Sequence, residues 1–65
     1  MDQEKINRFY KAIDDIESLH KAEISGSLRN YFQHRIGETD SIIWITNPGT
    51  DIRNQVIDAA HKFLS

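Results

Sequence analysis

The sequence has 65 residues, ten of them acidic and eight of them Lys or Arg, and its net charge is −2. This length allows one small domain at most, and the absence of cysteine excludes disulfides and thiolate metal sites. The charge balance shows no basic face of the kind that nucleic-acid binding needs. Because a domain this small buries only about 60% of its unfolded surface, we expect self-association to supplement its core. A well-packed monomer is the alternative, since many domains of this size fold alone.

Residues 3–23 are predicted to form the first helix. Apolar residues recur there at spacings of three and four and form one stripe: Ile6, Phe9, Tyr10, Ile13 and Ile16. In the following stretch ISGSL, Gly26 lies between two serines, which predicts a break or kink. A helix that runs straight through is the alternative, because Ile24, Leu28 and Phe32 continue a row with a spacing of four.

Residues 27–36 are predicted to form a second helix. Its N-cap is either Ser25 or Ser27. Gly37 is placed to end it at the C-terminus. Its apolar face would combine four side chains: Leu28, Tyr31, Phe32 and Ile36.

Residues 40–47 are expected to form a short helix or extended connector, with a strand as the alternative. The β-branched residues of this stretch favour a strand, whereas Asp40 or Ser41 would cap a short helix. The sequence contains no obvious second strand, so a strand here is expected to pair with its copy in a second subunit. The sequence NPG at residues 47–49 predicts a turn in either case.

Residues 51–64 are predicted to form the last helix, with Thr50 as its N-cap. One side of it is apolar: Ile52, Val56, Ala59, Ala60 and Phe63. The predicted fold class is all-α, either a small three-helix domain or a helical hairpin with a short connector, and dimeric.

The run Ile42–Ile45, with sequence IIWI, is the most apolar stretch of the chain. Its side chains point to opposite sides in a strand or a helix, so one small core cannot easily bury all four. Either they fill the core or part of the run forms an interface, where Trp is enriched. The candidate interface residues are Ile42, Ile43, Trp44, Ile45, Tyr10 and Tyr31.

The stretch RNYFQH, residues 29–34, resembles the motif of the HEPN ribonuclease families, in which an Arg, a polar neighbour and a His share a helix. This resemblance implies metal-independent RNA cleavage between two copies, in which the His and Arg activate an RNA 2′-hydroxyl and stabilise the transferring phosphate. The candidate catalytic residues are then Arg29, Asn30 and His34. An imidazole suits proton transfer near neutral pH, and a guanidinium suits phosphate. A solvated polar face is the alternative interpretation.

Three functional hypotheses follow. The first is a small non-enzymatic helical protein, of a regulator, inhibitor or accessory-subunit type, that binds another protein and self-associates. The second is a HEPN-like ribonuclease or a degenerate RNA-binding relative. The third is a small nucleic-acid-binding module with a helix-turn-helix corner at Gly26 or Gly37.

No cofactor or metal is expected, because the spacing of the three histidines fits no metal site. The longest apolar run is too short to cross a bilayer. The N-terminal residues are polar and acidic, so a cytoplasmic location without membrane contact is expected.

Overall fold

The structure is a computed structural model that describes residues 3–34 and 42–64. The described residues are mostly helical and form two α-helices, two short 3-10 helices and a two-stranded sheet. In chain order the elements are α1 (Gln3–Leu19), a 3-10 helix (Lys21–Glu23), a second 3-10 helix (Leu28–Tyr31), β1 (Phe32–Gln33), β2 (Ile43–Trp44) and α2 (Thr50–Leu64).

Helix α1 follows the predicted apolar stripe and buries Ile6, Phe9 and Ile13. It ends at Leu19, four residues before the predicted end, and Lys21–Glu23 continue as a separate 3-10 helix. The predicted break at ISGSL is confirmed, because Gly26 has a φ of 83°, a conformation that glycine adopts without a steric penalty. The alternative of one continuous helix is therefore wrong.

The prediction of a second helix over residues 27–36 is wrong for the described residues of that range. Ser27 does act as an N-cap, since its hydroxyl accepts a hydrogen bond from the Arg29 N–H, but the helix it starts is a single 3-10 turn. Phe32 then takes extended angles (φ −146°, ψ 163°) and begins β1. Residues 35–36 and the predicted stop at Gly37 lie outside the described residues.

Strands β1 and β2 pair in antiparallel orientation, with Phe32 opposite Trp44 and Gln33 opposite Ile43. The favoured short helix or connector is wrong at residues 43–44, which form a strand as the alternative predicted; the possible caps Asp40 and Ser41 lie outside the described residues. The expectation that this strand has no partner in its own chain is wrong. A two-residue strand shows no periodicity, so β1 could not be recognised in the sequence.

Helix α2 begins at Thr50, close to the predicted start, and ends at Leu64. The predicted turn before it is confirmed. The side-chain oxygen of Asn47 accepts a hydrogen bond from the Gly49 N–H at 3.1 Å, and Gly49 has a φ of 102°. This local turn separates β2 from α2 and lets the chain reverse its course.

The core lies mainly between α1 and α2 and is closed by the second 3-10 helix and β1. The buried side chains of the described residues are apolar: Ile6, Phe9, Ile13, Ile24, Leu28, Phe32, Ile52, Val56, Ala59, Ala60 and Leu64. The fold is thus a small, mostly helical domain with two main helices where three were considered. Among the described residues no helix is long and apolar enough to span a bilayer.

Candidate functional site

Arg29 is tied to helix α1. Its Nε lies 3.1 Å from Asp14 Oδ1, and a terminal nitrogen lies 2.8 Å from Asp14 Oδ2. The guanidinium carbon also stands 4.7 Å above the ring centre of Tyr10. Both charged side chains are about half exposed, so the pair contributes at most about 1 kcal/mol. The planar fork that would hold a phosphate is therefore occupied by a carboxylate of the same chain.

A second link between α1 and this segment is the hydrogen bond that the Leu28 N–H donates to Glu17 Oε1. This hydrogen bond is the main cause of a lowered pKa of the Glu17 carboxyl, and burial opposes it. Three neighbouring groups also lower the pKa: the Ser27 hydroxyl, Lys21 and Arg29. Glu17 thus holds the N-terminus of the second 3-10 helix against α1 through its charged form.

Glu17→Gln is expected to lower the midpoint of thermal unfolding at neutral pH and to reduce its pH dependence. A carboxyl whose pKa is lowered by folding stabilises the native state above its unfolded pKa of about 4.3 and loses this contribution as the pH falls through the folded pKa. The difference between wild type and variant should therefore be greater at pH 7 than near pH 3.

Circular dichroism melts at several pH values measure this difference. Asp15→Asn removes an exposed carboxylate from the same helix and is the matched control. A Glu17→Gln effect that is equally large at neutral and acidic pH would contradict the assigned role.

His34 has an unusual environment. Both of its ring nitrogens are buried and have no hydrogen-bond partner among the described residues. Its ring packs against Phe9, with 5.6 Å between the ring centroids. Because residues 32–33 are extended, Asn30 and His34 do not lie side by side on a helix. The imidazole therefore contacts the core, whereas Asn30 is exposed.

The three candidate catalytic residues are not joined in the described part of a single chain. No hydrogen bond or ring contact there connects Arg29 or Asn30 with His34. The resemblance to the HEPN motif remains a prediction, because it requires a second copy of the chain.

The six candidate interface residues divide into two groups. Tyr10 and Tyr31 are half-buried, and the Tyr31 hydroxyl is held by the backbone of Ser25, accepting from its N–H at 2.8 Å. Ile42 and Trp44 are also half-buried and pack against the core. The remaining two residues are exposed to solvent: Ile43 is 47% exposed and Ile45 is 59% exposed.

The alternation of side chains along β2 explains this division. Trp44 points inwards and packs edge-to-face against Phe32, with 5.7 Å between the ring centroids. The guanidinium carbon of Arg53 lies over the Trp44 ring, 5.3 Å from its centroid. Ile43 alternates with Trp44 in β2 and points to the opposite side, and Ile45, which directly follows β2, is exposed as well. We call the antiparallel strands β1 and β2 the hairpin, and we call these two isoleucines its outer face.

Leu19 is a further exposed aliphatic residue that the sequence analysis did not single out. It lies at the C-terminus of α1 and is 74% exposed. The position follows no apolar stripe, so no pattern in the sequence marks it.

His20 behaves as a half-buried structural histidine. Its Nε2 lies 2.9 Å from the amide nitrogen of Gln55 on α2, and its Nδ1 lies 3.3 Å from Glu23 Oε2. An amide nitrogen can only donate, so Nε2 is assigned as the acceptor and the ring proton to Nδ1. Within residues 3–34 and 42–64, no cluster of His, Asp and Glu could hold a metal ion.

Comparison with known proteins gives no match: no family model, no curated protein and no solved structure is significantly similar to this chain. The function is therefore inferred from the geometry of the chain alone.

Proposed function

We propose that this chain is a small non-enzymatic interaction protein, of a regulator, inhibitor or accessory-subunit type. It binds protein partners and self-associates through the outer face of the hairpin. The supporting observation is the exposure of Ile43 and Ile45, the two neighbours of Trp44 in the chain. Exposed apolar side chains that are close together can form part of a contact surface.

The size of this surface determines how strong the contact can be. Full burial of one isoleucine contributes about 1.5–3 kcal/mol, so the exposed halves of two contribute roughly 2 kcal/mol per copy. Association also costs several kcal/mol of lost translational and rotational freedom. Because this cost is at least as large as the apolar gain, we expect at most a weak, concentration-dependent dimer that is detectable only towards millimolar concentration.

Sedimentation equilibrium from micromolar to millimolar concentration tests the proposal. The wild-type chain is expected to shift from monomer towards dimer, and Ile43→Thr/Ile45→Thr should remain monomeric. Threonine keeps the β-branch that suits a strand, so the hairpin should persist while the apolar face is lost.

Leu19→Gln is the matched control, because it removes an exposed aliphatic side chain from a different element. It should dimerise like the wild type. A wild-type chain that stays monomeric at millimolar concentration would refute self-association.

A further inference from the structure

Among residues 3–34 and 42–64, the hydrogen-bond pattern leaves one edge of β2 unpaired. The Ile45 N–H donates to the Tyr31 carbonyl at 2.9 Å, and in the antiparallel register Phe32 stands opposite Trp44. Hydrogen-bonded and non-hydrogen-bonded pairs alternate along such a ladder, so Trp44 occupies a non-hydrogen-bonded position. Its N–H and C=O therefore point away from β1, and no described residue forms a hydrogen bond with them.

This edge carries no protection by charge or proline. Natural edge strands commonly avoid pairing through lysines, prolines or bulges. Residues 42–46, with the sequence IIWIT, contain neither a charged residue nor a proline. A bulge-like pattern is confined to the far end, where the Thr46 N–H also donates to the Tyr31 carbonyl at 3.2 Å. The pairing edge is thus short and centred on Trp44.

We propose that two copies of the chain pair in antiparallel orientation along this edge of β2, with Trp44 opposite Trp44 of the second copy. The proposal rests on the self-association proposed above and places the contact at the edge of β2, so that the outer faces of the two copies lie side by side. The two Trp44 residues exchange their N–H and C=O groups, and the two hairpins join into one four-stranded sheet. No like charges meet, because the paired stretch is neutral.

The isoleucines of the outer face explain why the partner at this edge is a second copy of the chain. In this register, Ile43 of each copy lies opposite Ile45 of the other, at a non-hydrogen-bonded position where side chains approach most closely. The strand is therefore complementary to itself, and each exposed isoleucine gains an isoleucine neighbour. A two-stranded ribbon is marginal in water, and more strands stabilise it.

Cysteine cross-linking tests the register, and the absence of native cysteine leaves only the introduced thiols to react. Ile43→Cys and Ile45→Cys are prepared separately, one of them with an isotopic label, and are mixed under mild oxidation. A non-hydrogen-bonded antiparallel pair has the Cα separation that a disulfide accepts. Because pairing raises the effective concentration of the two thiols, the mixture should give about tenfold more of the mixed dimer than either variant gives of its own dimer.

Leu19→Cys measures the bridging that arises from random collision. Equal bridging by Ile43→Cys alone indicates a parallel or unspecific contact and overturns the register. Sedimentation that shows a dimer without preferential mixed bridging also overturns the register but leaves self-association intact. A monomer at all concentrations overturns both proposals.

Discussion

Phe9→Ala is expected to abolish the cooperative unfolding transition of this chain. Phe9 is fully buried and lies where α1 meets the hairpin, in ring contact with Phe32 at 6.1 Å, with Tyr10 at 5.3 Å and with His34. Truncating a buried phenylalanine to alanine costs about 3–5 kcal/mol. A single core of this size supplies a net stability of only about 3–5 kcal/mol. One substitution therefore removes most of the free energy of unfolding.

Thermal melts followed by far-ultraviolet circular dichroism measure the loss. Phe63→Ala is the matched control, because Phe63 is only half-buried near the end of α2. It should remain folded, with a loss of about 1–2 kcal/mol, since less apolar surface is removed from the core. A cooperative melt of Phe9→Ala with a loss no greater than that of Phe63→Ala would contradict the central position of Phe9.

The two long helices could be predicted because each carries an apolar stripe over several turns. Ile6, Phe9 and Ile13 of α1 are buried as their spacing predicts, and so are Ile52 and Val56 of α2. Such a stripe repeats often enough to separate a helical period from chance. The predicted NPG turn added the boundary before α2.

The middle of the chain could not be predicted by the same reasoning. Leu28 and Phe32 are both buried, as a helical spacing of four requires, but the backbone between them is a 3-10 turn followed by an extended residue. Two buried positions are compatible with several backbone paths. The choice between these paths depends on the contact of Phe32 with Trp44, twelve residues further along the chain, and local propensity does not encode this contact.

The candidate site shows the same division between local and distant information. Exposure of part of the IIWI run follows from the alternation of side chains and could be predicted. The ion pair between Arg29 and Asp14 joins residues 15 positions apart, and the burial of the His34 nitrogens depends on tertiary packing. Neither is visible in a six-residue motif, although both decide which groups a substrate can reach.

His34→Phe is expected to raise the free energy of unfolding by about 1–2 kcal/mol, because a buried polar group without a hydrogen bond costs about 1–3 kcal/mol. Phenylalanine removes both nitrogens and keeps an aromatic ring against Phe9. His34→Leu is a smaller apolar alternative in case the larger ring overpacks the site. His34→Asn, which keeps a buried polar group, should give no gain.

Chemical denaturation of the four proteins measures these differences, and failure of both apolar variants to stabilise the chain would mean that the nitrogens are hydrated.

The same variants separate stability from chemistry in the ribonuclease alternative. If Arg29, Asn30 and His34 cleave RNA between two copies, His34→Phe should lose metal-independent cleavage while its fold becomes more stable. An interaction protein should instead leave RNA intact in every variant. Because the substitution is expected to stabilise the chain, a loss of cleavage could not be attributed to unfolding. Catalysis would then explain why a histidine that lowers the stability of the chain is found at position 34.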